Sequence, residues 1–259
     1  MTMKDISALD ELERAVREEP TVIEAAEDRL HEQLESDRPE DRMDAGRALR
    51  AAAEQDPELV ASYEGTLVEF LTEENGSLRL SGALGLAALS GHDPERLEHA
   101  VPQLVAAFEE TVAPSIEEAI VRSLTRIGRV DPESVAAADP VVAARLSEAT
   151  LPTQIAILRS FVGPVAERPE LFDATTAAYA EATEADRGII ARCAVRALAT
   201  VASSNPGAIP SRQRVLDRAE ELRAVAEADP RPDTGREIRA AARALTWAFE
   251  GTERAPLRT

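Results

Sequence analysis

The chain has 259 residues, of which 44% are hydrophobic but only 3% aromatic, and its formal net charge is −19 at pH 7. So few large side chains exclude the deep core of an ordinary globule. So acidic a balance excludes a phosphate-tracking surface, which needs a basic footprint, and no nucleic-acid partner is expected.

Cys193 is the only cysteine, which rules out an intramolecular disulfide and fits a reducing compartment. The segment from Met1 to Asp5 lacks an apolar signal core. No uninterrupted apolar run reaches the ~18 residues needed to span a bilayer. A cytoplasmic protein with no membrane span is expected. Lys4 is the sole lysine, every other cation being arginine. That pattern has two readings: adaptation to molar salt, where a Debye length of about 3 Å screens the excess negative charge, or the codon bias of a GC-rich genome.

In chain order, residues 4–18 read as a lone leading helix, and then a repeat begins. Prolines stand at Pro20, Pro57, Pro94, Pro132, Pro169 and Pro206, at successive intervals of 37, 37, 38, 37 and 37 residues. Asp56-Pro57-Glu58, Asp93-Pro94-Glu95 and Asp131-Pro132-Glu133 each spell a helix start: a capping oxygen, a residue with no N–H to leave unpaired, and a carboxylate at the positive end of the dipole. Three residues after each proline stand Ile23, Val60, Leu97, Val135, Phe172 and Ile209. Ten residues after it stand Leu30, Leu67, Leu104, Val142, Tyr179 and Leu216. Seven residues is close to two turns, so each pair is expected on one face of a helix A.

Eight residues before each proline stand Leu12, Leu49, Leu86, Leu124, Phe161 and Leu198, with Leu245 in the last unit. Beside them runs a column of small residues: Ala48, Gly85, Ser123, Ser160, Ala197 and Ala244. These columns define a helix B in each unit, over about residues 40–54, 77–90, 115–128, 152–163, 186–202 and 236–249. The Gly163-Pro164 pair is read as cutting the fourth of these short. In the last unit helix A is extended, and residues 229–235 form a linker. The fold class expected is all-α: an α/α superhelix, or solenoid, of about six hairpins plus an N-terminal capping helix. It makes one domain over residues 1–251, followed by a flexible tail over 252–259. A single hairpin cannot bury both its faces, so neighbours must stack.

The B-helix segments Asp41-Arg42-Met43-Asp44-Ala45-Gly46-Arg47-Ala48-Leu49 and Leu78-Arg79-Leu80-Ser81-Gly82 resemble those of short HEAT repeats, and Ala194-Val195-Arg196-Ala197-Leu198 and Ala241-Ala242-Arg243-Ala244-Leu245 keep the second half of that pattern. The resemblance covers nearly the whole chain. It implies mid-helix kinks at Pro102 and Pro140 and a concave surface lined by the B helices. The repeat is shorter than the usual ~40–47 residues. The early arginine of the pattern, Arg42 and Arg79, is replaced later by Glu117, Gln154, Ala191 and Ile238.

A second arginine series, Arg47, Arg122, Arg159, Arg196 and Arg243, lies nearly opposite the apolar stripe of helix B, interrupted at Leu84. It is read either as a docking stripe for an acidic partner segment, through two-pronged guanidinium–carboxylate pairs, or as solvated residues pairing with glutamates of adjacent repeats. Trp247, four residues after Arg243, is either a binding anchor beside it or a cover over the open end of the core. Cys193 shares a column with Ser81, Ala119, Ala156 and Ala240 and is read as a packed thiol.

No catalytic residues, metal ligands or cofactor are expected. There is no phosphate-binding glycine loop, zinc spacing or nucleophile elbow. His31-Glu32 is the one His-Glu pair, where HEAT-like iron hydroxylases use several. HEAT-like DNA glycosylases need a basic concave face. The expectation is a non-enzymatic protein-binding scaffold or adaptor. The alternative is a HEAT-like accessory enzyme or cofactor-handling lyase or chaperone, whose sites are poorly marked in sequence.

Overall fold

The computed structural model describes residues 9–228 and 232–253 of the chain, and every regular element among them is helical. They divide into two compact units, Met1–Ile127 and Gly128–Thr259. The expected tail residues 254–259, and residues 4–8 of the leading helix, lie outside the described residues.

In the first unit the leading helix α1 (Leu9–Glu18) packs on α4 (Pro39–Gln55), the first B helix, and α4 packs in turn on α6 (Gly76–His92), the second. The A layer holds α2 (Val22–Ala25), α3 (Glu27–Leu34), α5 (Glu64–Phe70) and α7 (Val101–Glu110), and the third B helix, α8 (Pro114–Val130), has all but its last three residues in this unit. Each B helix runs one or two residues beyond its expected limits, but the A helices differ from expectation. Each begins as a separate short piece: 3-10 turns cover Pro57–Tyr63 and Glu95–Ala100 before the α-helix proper starts. Pro102 therefore sits in the first turn of α7, where its missing N–H leaves no bond unmade, and kinks nothing. The same break occurs before α5 without a proline there, so the proline accompanies the bend without causing it.

The capping chemistry is as the repeat implied. The Asp56 and Asp131 carboxylates accept from the backbone N–H of Glu58 and Glu133 at 3.1 and 3.0 Å, and Asp93 accepts from Arg96 N–H at 3.2 Å. Both apolar columns of helix A are buried from Ile23 to Tyr179, because the bend turns the 3-10 piece and the α piece toward the same core. The small-residue column meets that layer closely. A Cβ added at Gly85 would stand 2.9 Å from the Leu67 side chain, and at Gly82, one turn earlier, 2.5 Å from the Leu67 carbonyl oxygen.

In the second unit α9 (Asp139–Glu148) packs on α12 (Asp173–Ala182), while α13 (Gly188–Ser204) contacts α11 (Val162–Glu167) and α15 (Pro232–Glu253). Pro140 lies in the first turn of α9, again after a 3-10 turn. The fourth B helix does not stop at Gly163-Pro164. It runs from α10 (Leu151–Ala156) through a π-type turn at Ile157–Phe161 into α11. Pro164 would clash with the Ser160 carbonyl in an unbroken α-helix, and the wider turn falls on that carbonyl.

The last hairpin shows two shifts. Its A helix, α14 (Arg212–Ala228), follows Ser211, which has φ 49° and accepts from Val215 N–H at 3.2 Å. After that turn the core position falls on Val215, and Leu216 is only half-buried. Helix α15 begins at Pro232, so residues 232–235 of the expected linker form its first turn.

One cap was not foreseen. Phe172, at the N-cap position of α12, has no capping atom; instead Asp139 of the preceding repeat accepts from the backbone N–H of Ala174 at 3.0 Å and Thr175 at 2.7 Å. Asp139→Ala should cost about 1–2 kcal/mol, as loss of a helix cap does, read as a lower urea midpoint at unchanged slope. A midpoint equal to that of the parent would remove Asp139 as the cap.

Candidate binding surface

The arginine series is divided by its surroundings. In the first unit Arg47 is half-buried, in ionic contact with Asp44 and with Glu13 at 3.5 Å, so it is tied to its own helix and to α1. Arg122, on α8, is exposed, with no ion pair among the described residues. In the second unit Arg196 on α13 pairs with Glu237 on α15 at 2.5 Å, the two side chains being 44% and 60% exposed. Arg159, in the π-type turn, and Arg243, on α15, are exposed and without an ion pair among the described residues.

The second unit brings part of this series to a groove. An open depression of about 880 Å³ runs over the fourth, fifth and sixth B helices. Arg159, Arg196 and Glu237 stand in its lining, and its floor is made of small side chains such as Ala197, Thr200, Ala240 and Ala244. A smaller hollow of about 280 Å³ shares Arg159, Arg196 and Glu237 and adds Arg192 and the exposed Ile189. The small-residue column accounts for the larger depression: Ala197 and Ala244 leave room between helices that larger side chains would fill. Cys193 lines the groove but is only 4% exposed, so the thiol is packed.

Trp247 is 78% exposed and does not cover the core. Leu245, Ala248 and Phe249 do so from the same helix, with the Arg212 guanidinium 5.6 Å from the Phe249 ring centre. One turn of helix separates Trp247 from Arg243. That pair was visible in the sequence, as was pairing of these arginines with glutamates of adjacent repeats as one of two readings; which glutamate meets Arg196 was not, because Glu237 lies 41 residues away on the next B helix.

Polar links of this long spacing recur within both units. Arg42 on α4 pairs with Glu73, just before α6, so the early arginine does bridge neighbouring repeats here. The Gln154 amide, in the same motif position three units later, makes no such bridge: it donates to the Leu146 carbonyl, eight residues back in its own repeat, at 2.9 Å. Arg168 reaches Glu133 at 2.9 Å, and Arg214 reaches Glu184 at 3.1 Å. Among the described residues no cluster of three or more His, Cys, Asp or Glu could hold a metal, and no helix is long and apolar enough to cross a membrane.

No protein-family profile matches the chain, and no curated protein matches it. Solved structures do. An engineered protein superposes with TM-score 0.67 at 18% identity, over 85% of this chain and 96% of that one. A designed armadillo repeat protein in complex with the peptide (KR)4 gives TM-score 0.67 at 16% identity, over 85% and 98%. A HEAT-like repeats protein from the archaeon Thermococcus onnurineus gives 0.56 at 14%, over 93% and 98%. The chain has a HEAT/armadillo-like all-α repeat fold.

Proposed function

We propose that the protein is a non-enzymatic scaffold or adaptor that holds a segment of a protein partner on its B-helix face. The observation that carries this reading is the groove of the second unit: an open, small-residue floor with arginine at its edge, on a chain that is otherwise strongly acidic. Guanidinium groups exposed without a carboxylate partner are available for two-pronged pairing with an acidic segment. Exposed Trp247 beside Arg243 adds the residue types enriched at binding hot spots. The designed armadillo neighbour holds a peptide, which supports peptide capture as a use of this architecture. The peptide there is basic, whereas the arginines here favour an acidic one. A cytoplasm rich in salt is the setting that the charge and the near absence of lysine favour.

The test is capture from native extract at high salt by the parent chain and by the variant Arg122→Glu/Arg159→Glu/Arg196→Glu. The parent should retain a defined partner, and the variant, at unchanged helicity, should lose it by tenfold or more. Equal recovery on both would remove the arginines from the binding surface. A chromophore or metal co-purifying with the parent would favour the accessory-enzyme reading instead.

A further inference from the structure

The groove of the second unit carries a sharper statement, one that rests on the scaffold reading above. Its charged lining, with the hollow that continues it, is three arginines, Arg159, Arg192 and Arg196, against one carboxylate, Glu237. Locally the sign of the surface is inverted relative to a chain of net charge −19. Glu237 already occupies one of the three, Arg196, while Arg159 and Arg192 have no ion pair among the described residues. The Arg196–Glu237 contact thus shows the chemistry that the groove accepts: a carboxylate on a guanidinium, above a floor of small side chains. Because both partners are about half exposed, the pair is one that a competing carboxylate can exchange at little cost.

We infer that this groove binds an extended acidic segment of a partner protein, with carboxylates three residues apart, and that Glu237 is an internal competitor which the incoming carboxylate displaces from Arg196. The spacing comes from the repeat. Arg159 and Arg196 hold the same position on adjacent B helices, 37 residues apart, and packed helices stand about 8–10 Å apart. An extended polyproline-type segment presents every third side chain on one face, at intervals of roughly 9 Å. The steps match, so carboxylates three residues apart meet Arg159 on the fourth B helix and Arg196 on the fifth. The small floor at Ala197, Thr200, Ala240 and Ala244 lets the segment's backbone lie close.

The experiment uses the full chain and a dye-labelled nonapeptide with glutamate at its second, fifth and eighth positions and alanine and proline between, followed by fluorescence anisotropy at about 0.15 M salt and again near 1 M, where screening is nearly complete. Binding should be saturable at the lower salt and weaken at the higher. It should weaken at least tenfold with Arg159→Glu and vanish for the glutamine version of the peptide. Glu237→Gln should tighten it severalfold, a gain that a merely structural role for Glu237 does not produce. Helicity measured on each variant separates lost binding from lost fold. Binding unchanged by Arg159→Glu, or weakened by Glu237→Gln, would overturn the assignment. Equal loss with Arg14→Glu, an exposed arginine of the first unit with no part in the binding surface, would also overturn it. Absence of peptide binding, while the triple reversal still abolishes native capture, would sink this groove and spare the scaffold reading. Absence of both effects would sink both.

Discussion

Phe161→Ala should destabilise the protein by about 3–5 kcal/mol, the range for removing a buried aromatic side chain, and lower the melting temperature by roughly 6–20 °C, at 2–4 °C per kcal/mol for a chain near this size. The reason lies in where Phe161 stands. It is fully buried at the end of the π-type turn of the fourth B helix, edge-on to Phe172 with ring centres 5.7 Å apart. The chain has only five phenylalanines, two tyrosines and one tryptophan. The core of the second unit therefore has few side chains able to fill the space left behind. Its small neighbours cannot lengthen, and the π-type turn already departs from regular helix, so collapse around the cavity is limited. Phe161→Leu, which keeps the apolar contact of the other B helices at this position, should recover more than half of the loss. A cost below about 1 kcal/mol for the alanine variant would mean that this position is not part of a packed core.

The second large effect is of salt. The melting temperature should rise by roughly 5–10 °C between about 0.02 M and 1 M sodium chloride. Two like charges 15 Å apart in water repel by about 0.3 kcal/mol. Nineteen excess negatives on one small chain bring many such pairs together, and folding holds them closer than the unfolded chain does. The screening length falls to about 3 Å at 1 M, which removes a few kcal/mol of repulsion, at 2–4 °C per kcal/mol. The opposing term is the loss of ion pairs such as Arg168–Glu133 and Arg214–Glu184. Exposed pairs contribute only about 0–1 kcal/mol each, so the repulsion outweighs them and the net shift is upward. A melting temperature indifferent to salt, or lower at 1 M, would show that the local pairs already neutralise the field, and the high-salt setting would lose its physical basis.

The face of helix B was legible in the sequence down to single residues. Leu12, Leu49, Leu86, Leu124, Phe161, Leu198 and Leu245 are all buried as their column required, because a side chain's direction on a helix follows from its position modulo 3.6 residues. The capping aspartates were legible for a similar reason: the Asp56 and Asp131 bonds each span two residues. What failed lay where backbone geometry responds to neighbours. The A helices break into 3-10 and α pieces, and Gly163-Pro164 is absorbed by a π-type turn, since either path keeps the same residues buried and local preference does not choose between them. The slip from Leu216 to Val215 follows from the Ser211 turn, whose positive φ has no counterpart among the other described residues.

By itself the sequence determined the repeat, its 37-residue register, the core columns and the places to look for binding, all of which depend on separations of a few residues or on exact recurrence. Only the tertiary structure decided how the arginines are used. Whether Arg47 and Arg196 are paired, whether Arg159 is exposed at a groove, and whether Trp247 covers the core depend on partners on other helices. Glu13 and Asp44 claim Arg47, Glu237 claims Arg196, and no carboxylate among the described residues pairs with Arg159. Those distances are set by how neighbouring hairpins stack, and no periodicity within one strand of sequence encodes them.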